Sequence, residues 1–276
     1  SHRCERLSHT SAGEAAGTVI ARRTSVRHPD PRPPSHIPVP AVSESSARER
    51  ALGALTGLAL GDALGMPTQS MSPAQIRRCY GKITGLRNAV ADQPIAPSMP
   101  AGSVTDDTEQ ALILAGLLTD GGGRIDPHRF TDALLRWEDD MRARGSLDLL
   151  GPSTKLALER VRTGADPHCT GREGTTNGAA MRVAPVGIAF SLSTDGNALA
   201  RAVHESCLVT HDTRQGFEAA GLLAAAVSAA IDGVDAEGAL EAALDFMAAH
   251  PGEGHWTGKA SVAARTRLAL ETSRDL

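Results

Sequence analysis

Aromatic side chains are scarce: four Phe, two Trp and one Tyr, 3% of 276 residues. A core without them rests on Ala, Leu and Val, which favours close helix packing over a β-sandwich. That scarcity, with a formal charge of −4, argues against the basic, base-stacking surface of a nucleic-acid binder. Long apolar runs are missing as well. The longest, Ala219 to Ile231, is Ala-rich and falls short of the ~20 residues a bilayer crossing needs, so no membrane partner is expected. Cysteine is limited to Cys4, Cys79, Cys169 and Cys207, with no C-x-x-C pair, a pattern that reads as reduced thiols in a cytoplasmic protein. Neither a Walker A sequence nor G-x-G-x-x-G occurs, which removes support for P-loop and Rossmann readings. No segment alternates in the β-branched manner of a sheet.

What is present is helical periodicity. From Ala47 onward Leu52, Leu55, Ala59 and Ala63 follow the i, i+3, i+4 rule, and Gly65 and Pro67 stop the pattern. Gly53, Gly57 and Gly61 share one face, and the ~1 kcal/mol each costs in helix propensity predicts close approach by another backbone. Further helices are expected at Pro73–Tyr80, Asp107–Leu118, Pro127–Arg144, Ser153–Arg162, Ala179–Phe190, Gly196–Cys207, Thr213–Ile231, Ala236–His250 and Lys259–Leu276. The fold class is therefore all-α. Residues 1–46 hold six of the sixteen prolines, cannot sustain a helix or ladder over Arg27 to Pro40, and read as a disordered Pro/Ser/Arg-rich leader. The last helix runs to Leu276 without a cap, as in a chain cut within or just after a helix.

Four short motifs carry chemistry. Thr105-Asp106-Asp107-Thr108-Glu109 opens a helix. It reads either as an N-cap with first-turn carboxylates or as a hard-cation site, in which carboxylates ~100° apart on the helix serve two neighbouring ions. Oxygen donors point to Mg²⁺ or Mn²⁺. Gly174-Thr175-Thr176-Asn177-Gly178, followed by Met181, is a polar loop entering a helix. Its N–H groups could hold a phosphate, or it is an ordinary Gly/Thr/Asn loop. Asp62 lies in the last turn of its helix, where the dipole disfavours an anion by ~0.3–1 kcal/mol. Compensation by loop N–H groups and a role at the metal site are both open. His211, in Thr210-His211-Asp212, is read as beginning a helix near a ligand or as a satisfied surface histidine. Trp137 to Asp140 reads as a solvated helix face, and Asp148 is a weak candidate carboxylate.

Taken in order, G-D-A-L-G-M-P, T-D-D-T, T-N-G-A-A-M-R-V-A-P and T-H over residues 47–276 resemble the ADP-ribosylglycohydrolase family, of the dinitrogenase-reductase-activating type. The resemblance implies a multi-helix orthogonal bundle and a dinuclear Mg²⁺ or Mn²⁺ centre. It also implies hydrolysis of the bond between ADP-ribose and a modified side chain, the partner being an ADP-ribosylated protein or an ADP-ribose-containing small molecule. It places Thr105, Asp106 and Asp107 at the metal, with the aspartates as catalytic groups. Gly174, Thr175, Thr176, Asn177, Gly178, Met181, His211 and Asp62 fall around the ADP-ribose. Two departures stand out. The chain has no D-x-D-T or D-x-D-S second metal motif, so the domain is expected to be C-terminally incomplete and its catalysis impaired. Gln69 stands where many members carry glutamate, and an amide is no general base. A catalytically silent ADP-ribose-binding relative and a hydrolase of another N-ribosyl compound are the alternative functions.

Overall fold

Helix starts are written locally in this chain, and the computed structural model, which describes residues 44–145, 149–258 and 260–274, follows them. Ser72 and Gln75 close a reciprocal capping box on α2 (Pro73–Tyr80). Asp126, Asp195, Thr213 and Asp235 each accept a first-turn N–H at the head of α4 (Pro127–Ala143), α8 (Gly196–His211), α9 (Arg214–Ile231) and α10 (Ala236–Ala249). The remaining helices are α1 (Glu44–Gly65), α3 (Asp106–Asp120), α5 (Pro152–Arg162), α6 (Gly178–Met181), α7 (Ala184–Ala189) and α11 (Val262–Arg274). Among the described residues there is no strand, only an isolated bridge between Thr213 and His255, so the all-α expectation holds. Among the described residues no helix is long and apolar enough to cross a membrane.

The Ala-rich α9 is the axis on which α6, α7, α8 and α10 pack. Its buried Phe217, Ala220, Leu222, Ala224 and Ala225 join Leu199, Val203 and Cys207 of α8 and Leu244 and Phe246 of α10 in the main core. Small side chains let backbones close in: a Cβ on Gly187 of α7 would sit 2.3 Å from the Ala224 carbonyl oxygen. A second cluster, around Met66, Trp137, Met141 and Leu150, lies under the loop that follows α2.

Several expectations need correction. Gly53, Gly57 and Gly61 have nothing within 4 Å of a built Cβ, so among the described residues no backbone approaches that face of α1. Leu52, 66% exposed, lies outside the buried stripe. The helix expected over Ala179–Phe190 is two helices, α6 and α7, parted at Arg182 and Val183, with Pro185 in the first turn of α7. Trp137 and Glu138 are buried, the indole N–H donating to Glu109 and Glu138 paired with Arg162, so only Asp139 and Asp140 form a solvated face. Cys79 and Cys207 are free thiols. Helix α1 starts at Glu44, taking in the last three residues assigned to the leader. The rest of that leader, Cys4 and Asp148 lie outside the described residues.

Candidate functional site

The anion at the end of α1 finds its compensation at the start of α3. Asp62 Oδ2 accepts the backbone N–H of Thr105 (2.8 Å) and of Thr108 (3.2 Å) and the Thr108 hydroxyl (2.6 Å), while Oδ1 accepts the Thr105 hydroxyl (2.7 Å). Thr105 holds the N-cap position in extended conformation but makes no side-chain cap bond. Asp62 caps α3 from a different helix.

This arrangement sets Asp106 and Asp107 beside a third carboxylate. Asp106 is buried. Burial first, then the charges of Asp107 and Asp62, push its carboxyl up to about 7. Burial and Asp62 raise Asp107 as well, against a 3.3 Å hydrogen bond from the Thr105 hydroxyl. Crowded, partly desolvated carboxylates with raised pKa values are what a divalent cation would relieve, and the donors are hard oxygens. The residues present therefore fit the cation the resemblance implies, with Asp62, its oxygens occupied by α3, as support for the pair. Glu109, one turn on, differs. Burial raises it, but hydrogen bonds from Arg144 and Trp137 outweigh that and hold it below the usual carboxylate range.

The loop 171–178 lies directly on the end of α8. A Cβ on Gly174 would fall 1.9 Å from the Thr210 carbonyl oxygen, and one on Gly178 would fall 2.6 Å from His211 Cε1. Only glycine permits that contact. Thr213 fastens the loop by donating to the Gly174 carbonyl (2.6 Å). Asn177 is exposed and, among the described residues, its side chain makes no hydrogen bond. Met181 is half-buried at the end of α6.

His211 does not begin a helix. It ends α8, fully buried, and burial together with the Arg182 charge drops its pKa to about 3, so the ring is neutral. Arg182, also fully buried, donates to Gln110 Oε1 (2.7 Å), the Ser206 carbonyl (3.1 Å) and Thr210 Oγ1 (2.6 Å). The chain continues from Thr210 Oγ1 to His211 Nδ1 (2.8 Å), from His211 Nε2 to Thr176 Oγ1 (2.9 Å), and from Thr176 to Ser153 Oγ (3.0 Å). Its polarity is determined from both ends. Arg182 can only donate, so Thr210 Oγ1 accepts from it, and a neutral ring whose one N–H is on Nε2 leaves Nδ1 to accept the Thr210 proton. Thr176 donates to Ser153 and so accepts from Nε2–H. Ser153 accepts at the end of the chain, and its own proton has no acceptor among the described residues.

Gln110 lies four residues after Asp106, so this chain ties the α3 end that carries the aspartates to the 171–178 loop. Sequence reasoning missed Arg182, Gln110, Thr210 and Ser153. The available signal was a lone arginine inside the apolar run Ala179 to Val186, where a buried charge demands partners.

A family model described as ADP-ribosylglycohydrolase matches residues 43–275. The chain is 34% identical over 228 residues to "Uncharacterized protein YegU" of Escherichia coli (strain K12), covering 82% of this chain and 67% of that protein. It is 30% identical to "ADP-ribosylarginine hydrolase Tri1" of Pseudomonas putida (strain GB-1), covering 76% of this chain and 54% of that one. A solved chain titled "ADP-ribosylglycohydrolase-related protein complex" superposes with a TM-score of 0.54 at 31% identity, covering 75% of this chain and 65% of that chain. The chain thus spans between about half and two thirds of the length of these relatives. With the family model matching most of the chain and the all-helical fold in agreement with it, the chain belongs to the ADP-ribosylglycohydrolase family.

Proposed function

We propose that this chain carries the ADP-ribose-binding face and an aspartate metal site of a hydrolase that cleaves ADP-ribose from a modified protein side chain. The observation that carries this reading is the pair of buried Asp106 and half-buried Asp107 at the head of α3, one turn before Gln110, which Arg182, Thr210 and His211 connect to the 174–178 loop. Thr105, Asp106 and Asp107 would hold Mg²⁺ or Mn²⁺. A bound ion of that kind supplies charge stabilisation to a sugar diol and lowers the pKa of water.

The chain's own groups do the rest. Loop 174–178 and Asn177 anchor the diphosphate, so that remote binding energy orients the distal ribose. The Ser153 hydroxyl donates to the same ligand. Asp106 or Asp107 accepts a proton from the attacking water as the anomeric C–O or C–N bond breaks through an oxocarbenium-like state, and that proton passes on to the departing side-chain oxygen or nitrogen. Neutral His211 adds no charge at the site and holds Thr176 in place.

A second reading, binding without turnover, is favoured by Gln69. Its amide stands where many members carry a glutamate, and its buried Oε1 has no hydrogen-bond partner. One experiment separates the two. The full chain is incubated with an ADP-ribosylated arginine peptide, with Mg²⁺, with Mn²⁺ and with chelator, beside Asp106→Asn. Metal-dependent release of ADP-ribose that the substitution abolishes supports the hydrolase. Saturable ADP-ribose binding by calorimetry without release supports the silent binder, and neither result would leave the family reading without a ligand.

A further inference from the structure

A different set of donors sits on the surface, between the start of α4 and the short 3-10 turn Pro167–Cys169 that packs against it. His128 is the second residue of α4. Asp166 caps the turn, and His168 lies within it. One ligand atom from each of the three lies within 4.8 Å of the other two. The imidazoles meet edge to face, centroids 5.5 Å apart at 65°.

The carboxylate is held in place. Asp166 Oδ1 accepts the His168 backbone N–H at 3.0 Å and lies 2.9 Å from His168 Nδ1, while Oδ2 takes no hydrogen bond among the described residues. All three side chains are exposed, so an ion enters without desolvating a buried charge.

We propose that His128, Asp166 and His168 form a binding site for a borderline divalent transition ion, Zn²⁺ above all. Two imidazoles and one carboxylate favour that class of ion and disfavour Mg²⁺ or Ca²⁺, which take oxygen. Ligand atoms around a tetrahedral ion at 2.0–2.1 Å stand roughly 3.3 Å apart. Exposed rotamers close the remaining gap, the ion replacing the Nδ1–Oδ1 contact or using His168 Nε2.

The placement gives the site a purpose. It bridges elements 38 residues apart in sequence, and a link across a long loop constrains the chain more than one across a short loop. Thr170 already fastens this turn to α8 through the Val209 carbonyl at 2.6 Å. An ion would fasten it to α4 as well, just ahead of the loop that begins at Gly171. The site stands on its own donors and does not depend on the activity proposed above.

The test is a titration of the metal-free full chain with Co²⁺, read by its visible absorption and by displacement with Zn²⁺, beside thermal unfolding with and without Zn²⁺. One equivalent is expected to bind in a low-symmetry, nitrogen-containing environment and to raise the melting temperature. His128→Ala and His168→Ala are exposed changes that leave the fold intact by circular dichroism. Each should weaken binding at least ~10-fold, since even outer-shell changes reach that size, and abolish the thermal shift. Asp106→Asn should leave the Co²⁺ spectrum unchanged, which separates this site from the aspartate pair. Binding unaltered in both histidine variants, or no saturable binding to the wild-type chain, overturns the proposal.

Discussion

Asp62 caps the helix that Thr105 begins, 43 residues further along the chain, taking both the N–H and the hydroxyl of that threonine. The unfavourable anion at the C-terminus of α1 and the orphan donors at the N-terminus of α3 satisfy one another. Asp62→Ala should therefore loosen α3 where the aspartate pair sits. A loss of about 1–3 kcal/mol is expected from an exchanged cap and its unpaired donors, seen as a lower denaturant midpoint at unchanged slope. Thr105→Ala, which keeps the backbone N–H, should lose less. Equal losses would mean the capping role is misassigned.

Asp106 stores instability for whatever neutralises it. Its folded pKa of about 7 lies above the ordinary carboxyl value of 3.8. Folding thus favours the protonated form, and the carboxylate works against stability increasingly as pH rises from 3.8 to 7. In chelator at pH 8, Asp106→Asn should raise stability, by up to about 4 kcal/mol if the whole shift is realised, and should lose any stabilisation by Mg²⁺. A variant less stable than wild type in chelator would remove the argument for a stored charge.

The fold was legible where a side chain marks a helix end. Ser72, Pro73 and Gln75 start α2 where expected, and Pro127 and Asp235 do the same for α4 and α10. The missed features depend on contacts distant in sequence. His211 carries no directional signal of its own, and the helix it ends became apparent only with Asp212 and Thr213 leaving helical backbone. Asp62 was recognisable as an anion needing partners, but not which partners. The role of Arg182 was hidden because Gln110 and Thr210 lie 72 and 28 residues away. Glycine spacing misled on α1, and the close contacts of Gly174 and Gly178 carried no sequence signal, because only three-dimensional proximity separates a bare face from a close contact.

That contrast can be measured. Gly57→Ala meets nothing within 4 Å and should stabilise α1 by about 0.5–1 kcal/mol through helix propensity. Gly178→Ala drives a methyl into the His211 ring and should cost about 1–3 kcal/mol as overpacking does, with loss of ADP-ribose affinity as Thr176 is released. Melting temperatures moving in the same direction for both variants would contradict the packing described for the loop.

The neutral, single-tautomer state of His211 makes the last prediction. Its folded pKa is about 3, against 6.5 for the free side chain. Unfolding below pH 6.5 therefore takes up a proton that the native ring refuses, and stability falls as pH drops from 6.5 toward 3. Asp106 acts with the opposite sign between 3.8 and 7, so the wild-type profile alone is a sum, and the difference from a variant isolates the histidine. His211→Asn should be less stable than wild type at pH 7.5, because it breaks the bonds to Thr210 and Thr176. By pH 5.0 that gap should narrow by about 2 kcal/mol, from 1.36 kcal/mol per pH unit over some 1.5 units. Urea titrations of both proteins at the two pH values provide the comparison. Nitrogen shifts of His211 at pH 7 should show Nδ1 bare and Nε2 protonated. A gap independent of pH, or the opposite tautomer, would mean that the proton chain from Arg182 to Ser153 does not run as the hydrogen bonds require.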